Sequence, residues 1–193
     1  MPPKAKFSKE EIIEAALRII RVDGFSALTA RALGTKLGSS ARPIFTVFQS
    51  MEEVQQEVIQ AAKMLYTEYV EEGLSKEISF KGVGKQYILF SIKEPKLFQL
   101  LFMSEKENIP DLSVILPLID ESYEKILLSI QKDYGISVLY AQRLYQHLWI
   151  YTHGIAALCA TKMCRFTEEE ISKMISEVFS SLLKNMKAGG NND

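Results

Sequence analysis

The chain has 193 residues, 47% of them hydrophobic and 24% charged, with six prolines and ten glycines. This suits one large or two small folded domains with a real core, and it excludes a predominantly disordered chain. The net charge of −1 hides a split: residues 1–50 hold eight Lys/Arg against four Asp/Glu, and residues 51–193 hold 15 against 20, as suits a protein offering one end to a polyanion.

The opening residues MPPKAKFSKE contain no apolar run, so no secretory signal is predicted. The most apolar region, YILFSIKEPKLFQLLFM, is broken by Lys93, Glu94, Pro95 and Lys96 and falls short of a membrane span. A cytoplasmic protein that does not engage the membrane is expected. No segment alternates with period two between hairpin turns, so the fold class is read as all-α, with about nine helices.

The first helix is predicted from Ser8 to Asp23, opened by a capping box at Ser8-Lys9-Glu10-Glu11. Ile12, Ala15, Ala16, Ile19 and Ile20 form its inner face, and Gly24 supplies a left-handed end. A short second helix starts at Thr29 as N-cap and ends near Gly38, turning Ala32, Leu33 and Leu37 inward. A third is predicted from Ser40 as N-cap, with Ile44, Val47 and Phe48 on its packed side and Pro43 in the first turn, where no intrahelical amide bond is lost. The fourth begins at Ser50 with a second capping box and runs to about Glu72.

Further helices are predicted at about 79–93, 95–103, 113–133, 137–163 and 167–187, with SEKENIPDLS as the clearest loop and AGGNND as a disordered tail, 188–193. The last opens on a third capping box at Thr167. Its Ile171, Met174, Ile175, Val178, Phe179 and Leu182 repeat at helical spacing along one broad apolar face. With the small residues of the preceding helix, that face can pair with a second copy as an intersubunit bundle, or pack inside one subunit.

Cys159 and Cys164, five residues apart, diverge by about 140° on a helix, which is not metal-ligand spacing. They are read as buried free thiols. No nucleophile–base pair, phosphate loop or metal spacing is evident, so neither an enzyme nor a cofactor or metal site is expected.

Three short helices and a long one, with a tight turn between the second and third, describe a helix-turn-helix unit. The stretch IIEAALRIIRVDGFSALTARALGTKLGSSARPIFTVFQSMEEV resembles the N-terminal domain of the TetR family of bacterial transcriptional regulators. The likeness is carried by Ala15-Ala16, Gly24, Thr29, Leu33, Leu37-Gly38, Ser40, Ile44-Phe45 and Phe48. IKEPKLFQLLF and WIYTHGIAAL are similar to two further marks of that family. The resemblance implies a helix-turn-helix DNA-binding domain at 1–52, joined by the long helix 50–72 to a ligand-binding and dimerisation domain at 53–187. It also implies a homodimer on a palindromic double-stranded DNA operator, released by a small apolar or amphipathic effector.

Carried over residue by residue, the DNA-binding positions are Lys6, Thr29, Ser39, Ser40, Ala41, Arg42, Pro43, Phe45 and Thr46. Lys4 and Lys9 could steer or touch the backbone, or remain solvated surface charges. Arg42 is the long donor of the reading segment. Candidate effector-lining residues are Tyr87, Phe90, Phe98, Phe102, Tyr123, Trp149 and His153, each with an ordinary packed core as the competing reading. Ile171, Met174, Ile175, Val178, Phe179 and Leu182 are the candidate dimer face. The chain departs from the family where a Tyr, a polar residue and a Lys are usual, holding Phe45, Val47 and Met51 instead. Lost phosphate donors leave a second reading open: an all-α protein-interaction module with weakened or absent DNA binding.

Overall fold

The computed structural model describes residues 6–105 and 109–189. Among the described residues it is all-helical, with helices α1 (Lys9–Asp23), α2 (Ala30–Lys36), α3 (Met51–Leu74), α4 (Ser79–Lys93), α5 (Pro95–Phe102), α6 (Leu112–Ile119), α7 (Tyr123–Tyr134), α8 (Val138–Ala160) and α9 (Glu168–Gly189). Lys4 and residues 190–193 of the predicted tail lie outside the described residues, as do 106–108 of the predicted loop. At residues 188–189 α9 continues into what the sequence suggested was tail.

Two compact units result, 1–65 with 94–104 and 66–93 with 105–193. The first break falls inside the long helix expected to join 1–52 to the rest of the chain. In the first unit, which we call the head, α5 packs on α1, and the Arg21 Nε donates to both oxygens of Glu94 at 3.2 and 2.9 Å. Ser8 caps α1 through the predicted reciprocal box, its hydroxyl accepting from the Glu11 amide and Glu11 accepting from the Ser8 amide. The predicted inner face of α1 is fully in the core with Leu33, Ile44, Phe48, Val54, Val58, Leu97 and Phe98. Each buried aliphatic or aromatic side chain of this kind contributes roughly 1.5–3 kcal/mol.

The predicted third helix is corrected by the structure. Residues 41–48 form successive three-residue turns, with the Ile44, Phe45 and Thr46 amides donating to the carbonyls of Ala41, Arg42 and Pro43, and only Ile44–Thr46 make a 3₁₀ helix. Ser40 caps nothing there. Pro43 disfavours the α conformation at Arg42, the Thr46 hydroxyl bonds the Pro43 carbonyl at 2.7 Å, and β-branched Ile44, Thr46 and Val47 add no helix propensity. The Ser50 box is also altered: Ser50 accepts from Glu53, but Glu53 reaches back to the Gln49 amide at 2.6 Å rather than to Ser50.

In the second unit α4 is the central helix, packed on α7 and α8 and buried on several sides through Phe80, Val83, Tyr87, Ile88 and Phe90. Its start crosses the end of α3 at van der Waals contact. A Cβ on Gly82 would collide with the Gly73 carbonyl oxygen, and one on Gly73 would come within 2.7 Å of the Val83 backbone. The single helix predicted at 113–133 is two. Pro117 weakens the first, and the Asp120 carboxylate accepts the Ser122 amide at 2.9 Å, a side-chain turn that competes with helix. Of the two thiols Cys159 is half-buried, but Cys164 is exposed, because it lies in the connector beyond α8.

Candidate functional site

In the head, the link from α2 to the reading segment is held by a paired C-terminal motif. The Gly38 amide donates to Thr35, and the Ser39 amide to Gly34 at 2.9 Å, with Gly38 at φ +64. Gly34 lets the chain double back closely: a Cβ there would lie 2.8 Å from the Ser40 carbonyl carbon and 2.9 Å from the Ala41 amide nitrogen. Beyond this corner Ile44 and Phe48 point into the core, while Ser40, Arg42, Phe45 and Thr46 are exposed and Ser39, Ala41 and Pro43 half-buried.

The donors on this surface are unequally available. Lys6 Nζ donates to the Ser39 hydroxyl at 3.1 Å. Thr46 is committed to the Pro43 carbonyl, and Thr29 at the other end of α2 accepts from the Ala32 amide at 3.2 Å. Arg42 is exposed and has no side-chain partner among the described residues, which leaves its five N–H groups for an outside acceptor. Lys9 is paired with Glu57 at 2.6 Å. Arg31 and Lys36, which the sequence reading did not single out, are exposed on α2 and line a shallow groove with Arg18 and Thr29.

The second unit holds a cavity of about 210 Å3. Tyr66 of α3, Phe80 and Tyr87 of α4, Tyr134 of α7, Tyr145 and Trp149 of α8 and Phe179 of α9 supply seven aromatic rings to its wall. Phe80 meets Tyr145 edge-on at 5.7 Å, Tyr66 meets Tyr87 edge-on at 6.0 Å, and Tyr134 packs on Phe179 at 4.7 Å. Behind the rings lies Asp120, 4% exposed, which accepts the Tyr66 and Tyr145 hydroxyls on Oδ2 at 3.3 and 3.1 Å. Burial raises its carboxyl above the ordinary value, against the lowering effect of the Ser122, Tyr145 and Tyr66 hydrogen bonds. Burial and the neighbouring Asp120 charge push the Tyr66 and Tyr145 hydroxyls well up, so both phenols keep their protons.

Tyr87 completes a second relay. Its hydroxyl lies 2.9 Å from His153 Nδ1. A His153 ring protonated on Nε2 accepts from the Tyr87 hydroxyl, and one protonated on Nδ1 donates to it. Burial lowers the His153 pKa, which favours the neutral ring. Trp149 stacks on His153 at 5.1 Å, one helical turn away.

The chain as a whole is similar in fold to solved proteins. A transcriptional regulator from Rhodococcus sp. Rha1 superposes with a TM-score of 0.64 over 93% of this chain and 97% of its own, at 13% identity. A structure from Mesorhizobium loti MAFF303099, provisionally assigned to the TetR family of transcriptional regulators, superposes with a TM-score of 0.54 over 94% of this chain and 98% of its own, at 17% identity. The chain has the TetR-regulator fold. No protein-family model matches the sequence, and no curated protein matches it significantly.

Within that TetR-type framework the predicted ligand residues separate. Tyr87 and Trp149 line the cavity, and His153 touches it through Tyr87. Phe90 is fully buried behind the wall against Tyr66 and Tyr69, and Tyr123 stacks on Tyr145 from outside it. Phe98 and Phe102 pack on each other in the head. Of the predicted dimer face, Ile171 and Ile175 are buried within the chain, Ile175 and Phe179 line the cavity, and Met174, Val178 and Leu182 are half-buried. Sequence reasoning missed Tyr66, Phe80, Tyr145 and Asp120, which share no local motif. It also missed Gly34, for which the paired glycines of LGTKLG were an available signal.

Proposed function

We propose that the protein is a ligand-responsive transcriptional regulator, a repressor that binds a palindromic operator as a homodimer and leaves it when a small effector fills the aromatic cavity. The observation that carries this reading is the pairing, in one chain, of a head whose exposed turn after α2 bears an uncommitted Arg42 with a cavity in the second unit. Helix α3 is common to both: its Glu57 pairs with Lys9 of the head, and its Tyr66 enters the cavity wall. An effector that favours a different placement of α3 changes DNA affinity, and DNA changes effector affinity by the same factor. Two heads must present their reading turns about one helical turn of DNA apart, roughly 34–36 Å. The partner surface is then the side of α8 and α9 turned away from the cavity, where Leu139 and Ile150 are exposed and Gly154 leaves open space.

The test is duplex binding to the DNA upstream of the protein's own and adjacent genes, titrated with salt. Saturable binding that weakens with salt is expected. Absence of binding even at low salt removes the regulator reading and favours the second one, a protein-interaction module. That alternative is motivated by the reduction of the reading segment to a 3₁₀ turn and by the apolar Phe45, Val47 and Met51.

A further inference from the structure

We propose that the cavity of the second unit selects a small aromatic organic cation, an inference that rests on the effector reading of that cavity. Hydroxyl protons at the inner wall are spent inward. Those of Tyr66 and Tyr145 go to Asp120, that of Thr152 goes to the Leu148 and Trp149 carbonyls, and the Tyr87 hydroxyl is paired with His153 Nδ1. The inner wall therefore spends its hydroxyl protons on the protein itself, and the other hydroxyls of the lining are those of Tyr134, Ser176 and Ser180. It is rich in ring faces, whose negative quadrupoles attract a cation, the more so when it is desolvated.

Asp120 adds a formal charge to that bias. It is buried and accepts three hydrogen bonds, one from the Ser122 amide, which can only donate. None of the five ion pairs among the described residues includes it. Two of its three donors are themselves cavity walls, so one phenol separates the carboxylate from a bound molecule. Hydrogen bonding to the carboxylate makes those phenol oxygens more negative. Lys81 is the one cation in the lining, and its four-carbon stem can hold the ammonium in solvent while the methylenes cover the mouth. The volume of about 210 Å3 exceeds a cavity of about 150 Å3 that takes benzene, and so accommodates one ring with a small branched substituent.

Isothermal titration calorimetry with three probes of one shape tests this: phenyltrimethylammonium, its neutral isostere tert-butylbenzene, and benzoate. The cation is expected to bind at least about tenfold tighter than tert-butylbenzene, and benzoate to bind no tighter than the neutral probe. Asp120→Asn is expected to weaken the cation about tenfold and leave tert-butylbenzene within about twofold, the retained neutral binding showing an intact cavity. The ranking on the native protein decides the matter even where that variant does not fold. Neutral or benzoate binding equal to or tighter than the cation overturns the charge selectivity while leaving the effector cavity standing. Silence from all three probes overturns the proposal and removes the effector reading with it.

Discussion

The head and the cavity unit are both made of packed helices, yet they assemble their chemistry in opposite ways. The reading surface proposed for the head runs from Thr29 to Thr46, with Lys6 bonded to Ser39 beside it, and is placed by two glycines and two buried anchors. The cavity draws its wall from α3, α4, α7, α8 and α9, and the carboxylate behind that wall, Asp120, comes from the break between α6 and α7. Function laid out along the chain depends on backbone geometry at a corner. Function gathered from distant elements depends on packing, and few of its residues carry a local mark.

The sharpest way to break the contrast is at Gly34. Gly34→Ala would place a methyl 2.8 Å from the Ser40 carbonyl carbon, and backbone cannot yield as a side-chain tip can. Overpacking of this kind costs roughly 1–3 kcal/mol. Urea unfolding should show a loss at the upper end of that range, with duplex binding abolished and cavity ligands still bound if the units respond separately. Gly38→Ala meets no atom within 4 Å and suffers only from its positive φ, about 1–2 kcal/mol. Equal losses in the two variants would show that the close approach is not what fixes the corner.

Next in size is the reading surface itself. Arg42→Ala should remove about 1–3 kcal/mol of base discrimination, read as a footprint that spreads over unrelated sequence. An unchanged footprint would place base recognition elsewhere. Met51→Lys restores a phosphate donor at the start of α3 and should steepen the salt dependence by about 0.9 in the log–log slope; an unaltered slope would put position 51 off the DNA backbone.

The smallest expected effect belongs to the cavity unit. Burial holds the His153 pKa below 6.5, so over the window between its folded value and 6.5 the unfolded chain binds more protons than the folded one. Stability from this group is therefore complete above 6.5 and falls as pH drops through that window. His153→Asn should flatten the pH dependence of the unfolding midpoint there. A slope equal to that of the native protein would mean that other groups produce it.

Legibility followed the same division. Capping boxes at Ser8 and Thr167, the Thr29 cap and the burial of Ile44 and Phe48 could be read from spacing because each is decided within four residues. The reading segment was misjudged where local rules conflicted: Ser40 and Ile44 suited a helix, while Pro43 and Thr46 offered the backbone other bonds. Tyr87 and Trp149 were found among the cavity residues because aromatic residues stood out, but the same reasoning gathered Phe98 and Phe102, which belong to the head. Nothing in a linear sequence distinguishes a phenol that meets Asp120 from one that fills a core.

Helix α5 has a consequence for how the molecule can be divided. It follows α4 in sequence with Glu94 as the only intervening residue, yet it belongs to the head, where Leu97 and Phe98 are fully buried and Glu94 anchors Arg21. The head is thus a discontinuous module, sewn through by a chain that leaves it along α3 and returns at α5. A fragment ending at residue 65 would lack one wall of its own core, so the reading surface cannot be inherited or engineered as a detachable cassette.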